Sequence, residues 1–151
     1  MLPILGVVAA ALLAGPALAQ KTVTIVREID TDRYDPHKSS ARSTSEVLFM
    51  AGDTLVNLGY DMKTIVPGLA KSWTVSADGK TYNFKLRDDV TFCDGKKFTA
   101  KDVVASYERW MDPETKGIVK WRAGSLDKVV AVDDYTVDYV LKEPFSELLF
   151  Q

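Results

Sequence analysis

Hydrophobic and polar positions alternate most regularly near the middle of the chain. Between Thr81 and Leu86 every second residue is apolar, which predicts a strand with one buried and one solvent-facing side. An Asp-Gly pair lies on each side of this strand, at Asp78-Gly79 and at Asp94-Gly95. Glycine supplies the positive φ angles that tight corners need. The pattern therefore predicts a hairpin strand with a second corner soon after it.

A helix is predicted directly after the second corner. Thr99 fits the N-cap position, and Asp102 three residues later completes a capping box. Asp112-Pro113 is expected to end the helix, because a proline disfavours helical geometry at the residue before it. Apolar residues follow the cap at helical spacing and predict a buried stripe: Val103, Tyr107, Trp110 and Met111.

A second hairpin is predicted near the end of the chain. The segments Leu126–Val132 and Tyr135–Leu141 flank the polar pair Asp133-Asp134, which is typical of a two-residue turn. Alternation in the second segment predicts one buried face.

The first third of the chain has a less regular pattern. Residues Thr22–Glu28 predict a strand, and a long polar loop follows it. Long irregular loops of this kind are often functional. Ser43 with Glu46 at the N3 position then predicts a capped helix, whose apolar stripe runs towards Gly59 and is expected to join the core.

These elements predict a mixed α/β (α+β) fold. Antiparallel hairpins around Pro67–Leu86 and Leu126–Leu141 are expected to pack against the two helices. Six side chains are predicted to form the core: Trp73, Phe84, Leu86, Phe92, Val103 and Tyr107.

The first nineteen residues have the pattern of a secretory signal peptide. They carry no charge, and an apolar run from Ile4 to Leu13 precedes small residues that end at Ala19. The run is shorter than the roughly 20 residues of a membrane-spanning helix. No basic residue precedes it, which a start codon placed too far downstream would explain. We therefore predict cleavage between Ala19 and Gln20.

Composition excludes several classes of protein. Hydrophobic residues make up 46% of the chain, so disorder is not expected. A net charge of −2 argues against a nucleic-acid-binding surface, which would need a basic patch. Cys93 is the single cysteine and is predicted to be a buried residue or half of a disulfide.

No group of residues predicts catalysis, a metal or a cofactor. A loop holds four candidate metal ligands, but aspartate is common in loops because its side chain caps turns: Asp30, Asp32, Asp35 and His37. Three acidic residues near the end of the chain could supply the paired carboxyl groups of general acid catalysis, but no sequence feature fixes the distance between them or their burial: Asp138, Glu143 and Glu147. The lone histidine and the lone cysteine lie far apart in sequence, so they predict no nucleophile and base. A secreted hydrolase is kept only as an alternative.

The central segment Pro67–Pro113 resembles one family. It is similar to the signature of the family 5 extracellular solute-binding proteins, the peptide, nickel and opine receptors of ABC importers. The resemblance extends from Thr22 to Phe150 and rests on positions at fixed spacing: Leu69-Ala70, Ser72-Trp73, Asp78-Gly79, Tyr82, Phe84, Leu86-Arg87, Val90, Phe92, Asp94-Gly95, Phe98-Thr99-Ala100, Asp102-Val103 and Ser106.

The resemblance implies a type II periplasmic-binding-protein fold. Intact members are several-fold longer, with two lobes that close on the ligand. Residues 20–151 are therefore expected to be the N-terminal, incomplete part of the domain: the start of lobe I with its extra subdomain. Such a part is not expected to bind solute alone.

The implied function of the intact protein is capture of a solute in the periplasm and delivery to an ABC permease in the inner membrane. A peptide is the first expectation for the solute, although nickel, haem, opines and oligosaccharides are also carried within this family. A stand-alone secreted interaction module is the alternative.

The resemblance also implies a ligand-binding segment. The residues Asp35-Pro36-His37-Lys38 resemble the Asp-Pro motif that follows the family's first strand. In the oligopeptide receptors the residues after this motif run alongside the ligand, partly through main-chain hydrogen bonds. By position this segment comprises Ser39, Ser40, Ala41 and Arg42; a solvated surface loop is the alternative.

Overall fold

The computed structural model describes Thr24, Val26 and residues 29–118 and 120–150. The predicted signal peptide, its cleavage site and most of the predicted strand Thr22–Glu28 lie outside the described residues. In chain order the elements are α1 (Arg42–Ala51), β1 (Val56–Leu58), β2 (Ile65–Pro67), β3 (Ala70–Val75), β4 (Thr81–Leu86), α2 (Ala100–Met111), β5 (Leu126–Asp133) and β6 (Thr136–Leu141). Short 3₁₀ turns lie at Pro113–Thr115, Lys120–Ala123 and Leu148–Phe150.

The fold is built on a four-stranded antiparallel sheet in the order β3-β4-β6-β5. Both predicted hairpins are present, and β4 joins them because it pairs with β3 on one side and with β6 on the other. The alternation in β4 has the predicted effect: Tyr82, Phe84 and Leu86 are buried. β1 and β2 form a separate two-stranded hairpin.

The two Asp-Gly corners and the start of α2 are confirmed. Gly79 and Gly95 have φ angles of 69° and 86°. The Asp102 carboxylate accepts a hydrogen bond from the Thr99 backbone N–H at 2.8 Å, which is one half of the capping box. The helix ends at Met111, before Asp112-Pro113. Since α2 packs against β5 and β6, its buried Val103 joins the core of the sheet.

The core differs in part from the predicted set. Phe84, Leu86 and Val103 are buried as predicted, while Trp73 and Tyr107 are only partly buried at its edge. The prediction for Phe92 is wrong, because this side chain is 45% exposed. Phe92 lies in the tight corner Thr91–Lys97, where an edge-to-face contact with Phe98 and the Lys96 ammonium, 5.5 Å from the ring centroid, cover its ring only in part. The other buried apolar residues are Ala70, Tyr82, Phe98, Ala100, Ala123, Leu126, Val129, Val137 and Leu141.

The helix α1 also differs from the prediction. It begins at Arg42 after Ala41, and Ser43 does not cap it: the Ser43 hydroxyl donates to the Asp30 carbonyl at 3.3 Å. The apolar stripe is not core, because Thr44 is the one buried residue of this helix.

The predicted continuation of α1 towards Gly59 is wrong. The helix ends at Ala51, and Leu58 belongs to β1 instead. The reason is tertiary, since backbone N–H groups of Gly68, Leu69 and Ala70 donate to carbonyls of residues 54 and 55. These hydrogen bonds hold residues 54 and 55 in a non-helical conformation.

Three smaller observations complete the fold. The turn of the last hairpin is Asp134-Tyr135 and not Asp133-Asp134, because Asp133 pairs with Thr136 and its carboxylate accepts from the Tyr135 N–H. The prediction that Cys93 is buried is wrong, since the residue is exposed. The alternative, a disulfide to a cysteine outside this sequence, stays a prediction. Within the described residues, every helix is too short or too polar to cross a membrane.

Candidate functional site

The residues that precede α1 form a structured loop, residues 29–41, which we call the Asp-Pro loop. Its first half is organised by the Asp32 carboxylate. This group accepts hydrogen bonds from the hydroxyls of Ser39 at 2.7 Å and Thr44 at 2.6 Å. Both bonds lower the pKa of Asp32. Because Thr44 is buried, the loop is fastened to the first turn of α1.

A second fastening joins the Asp-Pro loop to α2. The Asp35 carboxylate accepts a fork of two hydrogen bonds from Arg109, Nη2 to Oδ2 at 2.6 Å and Nη1 to Oδ1 at 3.1 Å. The same carboxylate accepts the His37 backbone N–H at 3.0 Å, so it also closes its own turn. The hydrogen bonds from Arg109 are the largest cause that lowers the pKa of Asp35 to about 2.

His37 completes this fastening. Its ring stacks on Trp110, with centroids 5.9 Å apart and planes 11° apart. Its Nδ1 lies 2.6 Å from Arg109 Nη1. Since a guanidinium has only donors, Nδ1 must accept, and the neutral ring carries its proton on Nε2. Burial is the main cause that lowers the pKa of His37; the charge of Arg109 also lowers it, and Asp35 opposes both.

The four candidate metal ligands of this loop have other partners or lie apart. Asp32 accepts from two hydroxyls, and Asp35 is paired with Arg109. Within the described residues, no three histidine, cysteine or acidic side chains converge on one point.

A cleft of about 620 Å³ lies between the Asp-Pro loop and α1 on one side and α2 on the other. Pro36, His37 and Ser39 line it from the loop, and Tyr107 and Trp110 line it from α2. The Trp110 indole N–H is buried and has no hydrogen-bond partner among the described residues. The cleft therefore combines apolar walls with a few polar groups, as small-molecule sites do.

The structure brings one of the four predicted ligand-binding residues to this cleft. Ser39 lines it and is buried, but its hydroxyl is used internally: it donates to Asp32 and accepts the Ala41 N–H at 3.1 Å. Ala41 is the N-cap of α1, and Arg42 points to solvent and pairs with Glu46 at 3.2 Å. Ser40 is exposed, and within the described part of the chain it makes no hydrogen bond.

Arg109 is the functional candidate that sequence reasoning missed. Its partner Asp35 lies 74 residues earlier, so no local pattern links them. A basic residue in the last turn of a helix is also explained by the helix dipole alone. The neighbouring Trp110 was predicted only as part of an apolar stripe.

Comparison with known proteins identifies relatives of this chain. Residues 64–151 match the model of the bacterial extracellular solute-binding proteins, family 5 Middle. The glutathione-binding protein GsiB of Escherichia coli (strain K12) is 34% identical over 142 residues, which cover 94% of this chain and 28% of that protein. The chain thus spans little more than a quarter of the length of this relative.

Two solved structures have the same fold over most of the chain. NikZ from Campylobacter jejuni, in complex with Ni(L-His), superposes with a TM-score of 0.74 at 30% identity, over 82% of this chain and 24% of that one. The Escherichia coli murein tripeptide binding protein MppA superposes with a TM-score of 0.72 at 29% identity, over 78% and 26%. The implied type II periplasmic-binding-protein fold is confirmed. The chain belongs to family 5 of the bacterial extracellular solute-binding proteins.

Proposed function

We propose that the intact protein is the periplasmic binding subunit of an ABC importer, which captures a peptide and delivers it to a permease in the inner membrane. The observation that carries this proposal is the 34% identity to a glutathione-binding protein over 94% of the chain, because glutathione is itself a tripeptide. The likeness to a murein tripeptide binding protein supports the same class of ligand. Both relatives are named as binding proteins, which also supports a function without catalysis.

We assign peptide contact to the segment Ser39–Arg42. Ser40 supports this role, since the residue is exposed and makes no hydrogen bond within the described residues. A ligand backbone laid along such a segment pairs with main-chain groups, and this mode tolerates many side chains. The side chain of Ser39 holds the segment in shape through Asp32, and is not free to read the ligand.

The chain itself is proposed to be the N-terminal part of that receptor. The chain covers 28% of the length of the glutathione-binding relative. Most of the surface that encloses a ligand would therefore come from elsewhere in the intact protein. We therefore expect residues 20–151 alone to bind peptide too weakly to measure.

The test is a calorimetric titration of the intact gene product, from which any bound ligand has been removed. The ligands are glutathione, trialanine, a murein tripeptide and nickel–histidine, with free glutamate as the control. We expect saturable binding of at least one peptide and none of glutamate. Binding of nickel–histidine alone would overturn the peptide assignment and favour the metal-chelate ligand that NikZ holds.

A further inference from the structure

We propose that Arg109 is a positioning residue for the segment Ser39–Arg42, and that it holds the Asp-Pro loop only while His37 is uncharged. The consequence for solute affinity rests on the function proposed above. The fastening itself does not depend on that function, and an experiment without ligand tests it.

The Arg109 guanidinium holds the Asp-Pro loop at two residues. Arg109 donates to both oxygens of Asp35, and its Nη1 also donates to His37 Nδ1. One side chain of α2 therefore fixes two residues of the loop, Asp35 and His37. Ser39 follows only two residues after His37 and is tethered again at Asp32. With both ends held, the backbone between them has little freedom to move the start of the ligand-binding segment.

Protonation of His37 is incompatible with this arrangement. Two charged groups act on its ring: Arg109 from α2 and Asp35 from its own loop. Protonation would turn Nδ1 into a donor that faces the Arg109 donor at 2.6 Å, with like charges on the two groups. Asp35 compensates only in part, because its charge is already paired with Arg109, whose effect on the ring is the larger of the two. The ring must then leave this position, and its stacking on Trp110 is lost.

The structure thus describes a fastening that closes at neutral pH and opens on acidification. A histidine has an ordinary pKa near 6.5, so its charge changes between about pH 5 and pH 8. The structure places it so that the charged form is disfavoured in the closed loop. Acidification is expected to free the loop between Asp35 and Ser39, and to weaken any ligand that lies along the segment.

The first experiment is ¹⁵N NMR of the imidazole in the full chain as a function of pH. His37 is the single histidine, so its signals need no assignment. We expect the Nε2–H tautomer and a pKa below 6.5. The Arg109→Gln variant should raise this pKa, because Asp35 is then free to pair with the imidazolium.

The matched control is Arg87→Gln. Arg87 also forms a fork, through Nε and Nη2 on the two oxygens of Asp89 at 2.9 Å each, and its side chain has the same exposure of 47%. This variant should leave the pKa of His37 unchanged. A neutral ring protonated on Nδ1, or a pKa that is the same in Arg109→Gln and in the wild type, would overturn the proposed fastening.

The second experiment measures peptide affinity of the intact protein at pH 7.5 and at pH 5.5. We expect Arg109→Gln to weaken binding at pH 7.5 by about tenfold, the order of one charge-assisted hydrogen bond. Arg109→Lys keeps the charge without the fork and should restore part of the affinity. The wild type should lose affinity at pH 5.5, and His37→Gln should lose this pH dependence.

Two results would overturn the positioning role. One is wild-type affinity in Arg109→Gln at pH 7.5, and the other is an unchanged pH dependence in His37→Gln. If the wild type binds no peptide, the proposed function and the effect on affinity both fail, while the NMR titration still decides whether the fastening exists.

Discussion

The Asp35 side chain links the Asp-Pro loop to the helix α2. It closes its own turn through the His37 N–H and receives the fork of Arg109. Most surface ion pairs contribute little to stability, but forked pairs with further backbone hydrogen bonds contribute more. The side chain of Asp35 is 23% exposed, so solvent screens this pair only in part.

Replacing Asp35 by Asn should lower the free energy of unfolding by about 1 kcal/mol at pH 7, because the charge and the fork are lost together. Urea unfolding of the full chain measures this change in the free energy of unfolding. Asp89→Asn is the control, since its forked pair with Arg87 is more exposed; we expect a clearly smaller loss. Equal losses in the two variants would contradict the special role of Asp35.

The same variant should change how stability depends on pH. A carboxyl whose pKa is lowered by folding adds stability above its ordinary pKa, and this stability is lost as the pH falls through the lowered value. For Asp35 the window runs from its ordinary value near 4 down to about 2. The wild type should therefore lose more stability than Asp35→Asn across this window. The lowered pKa of His37 has the same sign and acts below 6.5.

At the level of elements, sequence patterns predicted the strands and helices whose bounds depend on interactions between residues close in the chain. β4 and α2 have the predicted bounds to within a residue or two, because alternation, an Asp-Gly corner and a capping box act within a few residues. The end of α1 and the strand β1 were not predicted, because carbonyls of residues 54 and 55 bond to backbone at residues 68–70. The site follows the same division: the Asp-Pro loop was predicted, and Arg109, which needs a contact over 74 residues, was not.

The two predicted N-caps give a direct test at this scale. Thr99→Ala should cost about 1 kcal/mol of stability, because its capping box with Asp102 is formed. Ser43→Ala should cost clearly less, since Ser43 lies inside α1 and does not cap it. Thermal unfolding of both variants measures the difference. A larger loss in Ser43→Ala would contradict the observed start of α1.

For the whole molecule, the open prediction is export. If residues 1–19 are a signal peptide, the protein isolated from the periplasm of its host should begin at Gln20. Intact mass measures this, and Ala19→Arg is expected to block cleavage by removing the small residue at position −1. An N-terminus at Met1 on periplasmic protein would contradict the predicted cleavage site.

The order of strands in the main sheet also has a consequence during synthesis. β4 lies in the sheet between β3 and β6, and Asn83 in β4 is paired with Asp138 in β6, 55 residues later. At about 5–20 residues per second, the ribosome makes this partner roughly 3–11 s after β4. During that interval the β3–β4 hairpin has an open edge, and Tyr82 and Phe84 lack their final cover. Exposed apolar side chains and an unpaired strand edge make a chain in this state prone to aggregation.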